Sequence, residues 1–493
     1  MVVLSLFITS LLLPGSQALL GHLKDKLRSQ NLGSKEDTDL LPPVIASDYL
    51  PDNYLDGQSA TSLQLDGWDG PTQYAGFFKF EGEDREDNVN SSSPPIINSF
   101  FWYLPSLDEN PDAEILLWLQ GGPGGSSLYG MFSEIGPFTI DSNGKVISRE
   151  ELSNWNQHYG LLFIDNPCGT GYSNSHDESG YVVNETQVGS DLYNAIAQFY
   201  QLFPNLRSND FYITGESYAG KYIPAAAYTI MTRNPTASSD YQIPLKGISI
   251  GDGAMDPTKQ FKNYGSLLWY MGMIDKNEKQ IFDQYENKYQ LQLLKGDYLG
   301  AFNTFDEMLN GDFIFPTYYY NVTGLTNYFN MEQGDCGDCQ PDYTDAWLDT
   351  TETRNKIHVG DLPYNSFNDT VEVYLENDWM VGVTQFLIPL LESRDIKVLI
   401  YSGQNDVILG APLTEQFLDQ LEWTGQSEFL SASKTTWLVE EVVNDPVAGY
   451  MKHLQDQSFT YAVVRGAGHM VPLDQPERAY DLITKFVNTG FDV

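Results

Sequence analysis

The stretch Ile213-Thr-Gly-Glu-Ser-Tyr-Ala-Gly220 constrains this chain more than any other. An apolar run, Phe211-Tyr-Ile213, leads into a Gly-x-Ser turn. A segment able to form a helix follows, Lys221 to Met231. Strand, sharp turn and helix with a serine at the apex is the context of a nucleophile elbow, which lifts a serine oxygen above the end of a sheet. The last small residue of the usual Gly-x-Ser-x-Gly is Ala219 here, with Gly220 behind it. A Gly-x-Ser alone is more often a loop serine; in this strand–turn–helix context the two readings stand even, so the reading of Ser217 as a nucleophile depends on its partners.

Those partners must sit on a scaffold, and the apolar runs describe one. Glu114–Gln120, Leu161–Asp165, Phe211–Ile213, Gly247–Gly251, Ile396–Tyr401 and Phe459–Val464 are short, nearly continuous apolar segments. Such runs suit strands buried on both faces of a mostly parallel sheet covered by helices. Between two of them Val188, Leu192, Ala195, Ile196, Phe199 and Leu202 recur at helical spacing from Glu185 to Phe203, and Pro204 ends the pattern. Tyr74–Phe80 and Ile97–Tyr103 read as earlier strands, joined by an acidic, serine-rich loop. Alternating strand and helix predicts the α/β class, with active residues at the C-terminal ends of strands. Residues 254–392 lack the strand rhythm and read as an inserted cap, helical in parts such as Asn277–Leu294. The two parts of the core are then 46–253 and 393–493.

Residues Val2–Leu13 are apolar and Gly15-Ser-Gln-Ala18 follows, which reads as a signal peptide over 1–18. The polar stretch 19–45 reads as a propeptide or mobile arm. No later run is long enough to span a membrane. Sequons at Asn90, Asn184, Asn321 and Asn368 fit the secretory route, secreted or lysosomal. With 27 Lys plus Arg against 67 Asp plus Glu, the net charge is −40. That surface repels phosphate backbones, which argues against nucleic-acid partners. It also suits an acidic compartment, where part of the charge is neutralised. Of three cysteines, Cys168 reads as a small buried residue, while Cys336 and Cys339 form a C-x-x-C in a Gly- and Asp-rich loop. A local disulfide is the expectation there; a zinc site would need a second pair of ligands.

A serine nucleophile needs a base, and the base an orienting acid; on an α/β-hydrolase sheet both follow the serine in the chain. Of six histidines, His22, His158 and His176 precede Ser217, His358 lies in the expected cap, and His453 sits in a polar stretch read as a surface helix. His469 is left, on a loop after the strand ending at Val464. Asp406, on the loop after Ile396–Tyr401, is the best acid, with a turn aspartate as the plainer alternative. An oxyanion hole needs converging backbone N–H groups. Tyr218 supplies one, and Gln120-Gly-Gly-Pro-Gly-Gly-Ser-Ser127 the other, through Gly122. That loop lacks the Gly-Lys-Ser/Thr ending of a phosphate loop.

At these residues the chain resembles the serine carboxypeptidases of the carboxypeptidase Y and cathepsin A type. The resemblance rests on Trp118–Ser127, Gly215–Gly220 and Gly466-Ala-Gly-His-Met-Val-Pro472. Ile164–Ser173 and Gly251-Asp-Gly-Ala-Met-Asp-Pro257 resemble further blocks of that family. Tyr320–Gly324 and the ending after Gly466 are most similar to the vitellogenic-like members. The resemblance runs from about residue 70 to the end. It implies removal of C-terminal residues from peptides by an α/β-hydrolase core with a cap, without cofactor or metal. It implies the triad Ser217, Asp406 and His469, and an oxyanion hole of Gly122 and Tyr218. It also implies a carboxylate site at Gln120, Gly121 and Glu216, and Met470 in the pocket for the leaving residue. Gln120 stands where many members have Asn, and Gly125 and Leu409 stand where members have Cys, so the family's usual disulfides do not carry over. A substrate carboxylate beside Glu216 would need a shared proton, hence binding favoured in acid. Peptides and proteins are the expected partners, with a homodimer as the assembly to test for. An esterase, an acyltransferase and an inactive binding or protective protein are the alternative readings.

Overall fold

The computed structural model describes residues 40–83, 85, 93–149, 153–335, 343–439 and 446–491. The expected signal peptide, most of the expected arm, Asn90, Cys336 and Cys339 lie outside them. The strands in chain order are β1 (Ser62–Leu63), β2 (Gln73–Glu81), β3 (Ile96–Leu104), β4 (Ile115–Leu119), β5 (Phe138–Ile140), β6 (Val146–Ser148), β7 (Gly160–Ile164), β8 (Asn174–Ser175), β9 (Phe211–Glu216), β10 (Leu245–Gly251), β11 (Lys397–Gly403), β12 (Thr435–Leu438), β13 (Val447–His453) and β14 (Phe459–Val464). Among the described residues a 12-stranded sheet runs β1-β2-β3-β7-β4-β9-β10-β11-β14-β13-β12, with β8 beside β3. Neighbours from β7 through β14 along this order are parallel, and the flanking pairs antiparallel.

The continuous apolar runs have a direct cause. In β4, Ile115, Leu117 and Leu119 enter one core cluster, while Leu116 and Trp118 enter a second on the other face. β14 divides the same way, Phe459, Tyr461 and Val463 against Ala462 and Val464. With side chains alternating across a strand, both faces are dry only if every residue is apolar. Helices α1 (Glu185–Leu202) and α2 (Ala219–Arg233) cover the first face, as their buried stripes show. Asn184 caps α1, its side chain accepting from Gln187 N.

One reading of a local segment is corrected. His453 is not on a helix: it ends β13, paired with Thr460 of β14 in an antiparallel hairpin. Ala448 and Met451 face inward while Tyr450 is exposed, so pairing with β14 overrides the polar composition of the segment.

Between β10 and β11 the described elements are all helical, including α3 (Lys276–Leu293), α4 (Asp369–Trp379) and α5 (Thr384–Ser393). The last packs on α2 through Phe386 against Tyr228. Residues 44 and 45 also join the body: Phe77 N donates to Val44 O at 3.0 Å and Val44 N to His358 O at 3.0 Å. None of the helices among the described residues is long and apolar enough to cross a membrane.

A buried ion pair ties α2 to the helical insertion. Lys221 Nζ, fully enclosed, donates to Asp378 Oδ2 at 2.8 Å and to the carbonyls of Asp378 and Trp379. The Glu185 carboxyl is buried nearby, and burial followed by the Asp378 charge pushes its pKa well up. Removing one partner of such a pair leaves the other without compensation. Lys221→Met is expected to lower stability by about 3 to 5 kcal/mol in urea denaturation; a loss below about 1 kcal/mol would show that the pair is not a structural tie.

Candidate active site

The sheet delivers its chemistry at the C-terminal ends of β4, β9, β10, β11 and β14. At the end of β9 the chain turns through Ser217 with φ of 62°. A non-glycine residue rarely holds that left-handed conformation, which costs roughly 1 to 3 kcal/mol unless the surroundings enforce it. Here Ser217 N donates to Gly251 O at 3.0 Å, and Ser217 O accepts from Gly220 N at 2.9 Å and Ala254 N at 3.0 Å. Strand β10 and the start of α2 therefore hold the turn, and Ser217 remains partly exposed at its tip.

Two glycines let backbones meet there. A Cβ on Gly215 would lie 2.1 Å from Leu119 O, and one on Gly121 would lie 2.5 Å from Tyr218 N and 2.6 Å from Ser217 Cβ. The glycine-rich loop after β4 thus rests directly on the elbow, bringing Gly121 beside Tyr218. Its far side is clamped by the insertion, with Ser126 N donating to Ser366 O at 2.9 Å and Asn368 N to Gly124 O at 3.0 Å. Asp165 ties its end to the next loop, accepting from Ser126 Oγ at 2.6 Å, Ser127 N at 3.1 Å and Tyr172 N at 3.0 Å.

Asp406 and His469 meet as expected. His469 Nδ1 lies 2.9 Å from Asp406 Oδ2, and both side chains are buried, 3 % and 0 % exposed. Asp406 Oδ1 accepts from Leu409 N at 3.2 Å. His469 N donates to Phe329 O at 2.7 Å, and the Phe329 ring lies 5.2 Å from the imidazole. The insertion therefore sets the histidine's position. His469 Nε2 is buried without a hydrogen-bond partner, Ser217 included. Met470 follows at the N-cap of the short helix Val471–Asp474 and is partly buried.

Glu216, one residue before the serine, is 1 % exposed. Gln120 Nε2 donates to Glu216 Oε1 at 2.8 Å, and Trp118 Nε1 donates to Gln120 Oε1 at 2.9 Å, which orients the amide. The longer Gln side chain is therefore held in place. Reasoning from sequence missed the residue opposite, Glu134, also 1 % exposed. Burial raises the Glu134 carboxyl to about 7, with the neighbouring Glu216 and Gln120 opposing that rise; neither Glu134 oxygen has a hydrogen-bond partner. Burial and then the Glu134 charge push Glu216 well above the usual carboxylate range. Buried as neighbours, the two carboxyls are compatible only with a proton held between them, since two carboxylates would repel. The only signal for Glu134 in the sequence is a charged residue inside the apolar stretch Leu128–Ile135.

A second missed residue is Asp252, at the end of β10 and fully buried. Ligand atoms of Asp252, Asp406 and His469 lie within 4.8 Å of one another. His469 and Asp406 already satisfy each other, so the cluster is a hydrogen-bonded dyad with a third carboxyl beside it. Cys168 is buried and free, its thiol pushed up to about 12 by burial, which suits a packed rather than a reactive residue. Of the described sequons, Asn321 is exposed on a helix. Asn184 and Asn368 are N-caps, and Asn368 Nδ2 also donates to Gly169 O at 2.7 Å.

A family model described as serine carboxypeptidase matches residues 72–489. The venom serine carboxypeptidase of Apis mellifera is 43% identical over 396 residues, 80% of this chain and 82% of that protein. The probable serine carboxypeptidase CPVL of Homo sapiens is 41% identical over 398 residues, 80% of this chain and 81% of the other. The vitellogenic carboxypeptidase of Aedes aegypti is 39% identical, covering 80% and 81%. Among solved structures, the prohormone-processing carboxypeptidase Kex1(delta)p of Saccharomyces cerevisiae superposes with a TM-score of 0.74 at 24% identity, covering 87% of this chain and 96% of that one. The fold is that of the α/β-hydrolases.

Proposed function

Because the chain belongs to the serine carboxypeptidase family, we propose that Ser217, His469 and Asp406 form its catalytic triad and that Glu216, with Glu134 and Gln120, receives the substrate's terminal carboxylate. Ser217 Oγ attacks the carbonyl of the last peptide bond, and His469 Nε2 takes its proton. The contact between these two atoms closes in the substrate complex, as such contacts commonly do. Developing charge on the carbonyl oxygen is met by the N–H groups of Gly122 and Tyr218. His469 then protonates the departing amino group, and the C–N bond breaks. Water, deprotonated by the same imidazole, hydrolyses the acyl-enzyme and frees Ser217. Met470, next to His469, lines the pocket for the released residue.

The observation that carries this reading is the buried Glu134–Glu216 pair beside the serine. A hydrolase without interest in a carboxylate has no use for a protonated acid pair there. In acid both carboxyls are protonated and one O–H can donate to a terminal carboxylate; with one proton lost, the other is held between the pair, which then repels the substrate. The proposed working range is therefore acidic. The apolar N-terminal stretch, the exposed Asn321 sequon and the acidic composition support a secretory route, secreted or lysosomal. Peptides offered as free acid and as C-terminal amide test the reading. The amide is expected to lose at least about 100-fold in kcat/KM, and equal turnover of the two would reject it.

A further inference from the structure

Asp252 is the buried acid for which the triad mechanism has no use. It stands in the left-handed region, φ 41°, with its N–H donating to Tyr401 O at 2.8 Å. Its Oδ1 accepts from Gly403 N at 2.8 Å, while Oδ2 is buried and has no donor. The groups facing it are Asp406 on the loop after β11, His469 after β14, Glu216 at the end of β9, and the phenols of Tyr401 and Tyr461. Glu134 in turn faces His469, and no cation of the described residues is among these groups. An ionised Asp252 would thus face the Asp406 carboxylate with nothing between them to compensate. Burial, then the charge of Asp406, accordingly pushes the Asp252 carboxyl well up.

We propose that Asp252 is a positioning residue for the triad: as a neutral acid it donates from Oδ2 to Asp406 and thereby keeps His469 less basic. This inference rests on the triad reading above. Asp406 then accepts from the Leu409 N–H, the His469 Nδ1–H and the Asp252 O–H. A hydrogen bond into a carboxylate disperses its charge and weakens its hold on a neighbouring imidazolium. Ser217 labelling should then persist to lower pH with Asp252 present than without it. Asp252 keeps its own proton throughout: the Ser217 proton moves to His469 Nε2 and on to the leaving amine. An asparagine would serve alike, its oxygen accepting from Gly403 N and its amide donating to Asp406.

The test is the pH dependence of Ser217 labelling by an uncharged aryl phosphonate, which makes no demand on the carboxylate site. The acid-limb midpoint of Asp252→Asn is expected within about 0.3 unit of the wild type, and that of Asp252→Ala about one unit higher. An alanine midpoint equal to the wild type, or an asparagine midpoint displaced as far as that of alanine, would overturn the proposal. Infrared difference spectra of wild type minus Asp252→Asn give the answer without the alanine protein. A protonated-carboxyl band at neutral pH is expected, and carboxylate bands alone would overturn it. Labelling that survives Ser217→Ala would instead remove the triad reading itself.

Discussion

Ser217→Ala is expected to lower kcat on a free-acid peptide by at least about 10⁴-fold while leaving the fold intact. The turn at residue 217 is held by backbone bonds to Gly251, Gly220 and Ala254, none of which uses the serine hydroxyl. Alanine meets the same backbone conformation as serine, so melting temperature and KM should change little. Asp406→Asn should cost a similar factor, because an amide at Oδ2 no longer fixes the His469 tautomer that presents Nε2 to the serine. The effects should not add. Ser217→Ala combined with His469→Ala is expected to be no slower than either alone, since the three groups act as one device. Single-turnover kinetics on purified variants would check this. A Ser217→Ala protein retaining more than about a hundredth of wild-type kcat would dismiss the nucleophile.

The second large effect concerns substrate binding and pH. The Glu134–Glu216 pair holds a proton on each carboxyl below about 7, the raised value for Glu134, and loses the first above it. The neutral pair donates to a substrate carboxylate, and the singly charged pair repels it. KM for a free-acid peptide should therefore be lowest in acid and rise with pH through about 7, approaching tenfold per pH unit once the proton is lost. Glu216→Gln supplies a donor that does not titrate, so that rise should flatten. Glu216→Ala removes the contact and leaves Glu134 buried alone, raising KM by roughly 100-fold, equivalent to about 2.7 kcal/mol. A wild-type KM that stays flat from about pH 5 to about pH 8, with Glu216→Gln indistinguishable from it, would end the shared-proton account.

These two predictions differ in how far the residues themselves announced them. The turn at Ser217 was legible because an elbow needs a local order of strand, tight turn and helix, all written within residues 211–231. His469 was legible by elimination, because chain order left few histidines at the end of a predicted strand. The central strands were legible because burial on both faces demands unbroken apolar runs. Strand β13 was not, since its pairing with β14 depends on a neighbour whose backbone offers the hydrogen bonds, and its own polar composition points elsewhere.

Glu134 and Asp252 were silent for a deeper reason. Each is an ordinary acid in the sequence, and its chemistry comes from what surrounds it. Glu134 meets Glu216 from 82 positions away, and Asp252 meets Asp406 across the ends of two strands. Only the fold excludes water from both pairs, and exclusion of water is what makes a second negative charge too costly to keep. The same holds for the glycine loop clamped by residues 366–368 and for His469 seated under Phe329. Local backbone requirements and apolar periodicity thus determined the sheet and the tight turn that carries Ser217 from the sequence by itself. The tertiary structure alone decided which acids stand buried beside one another, because that depends on partners distant in the chain.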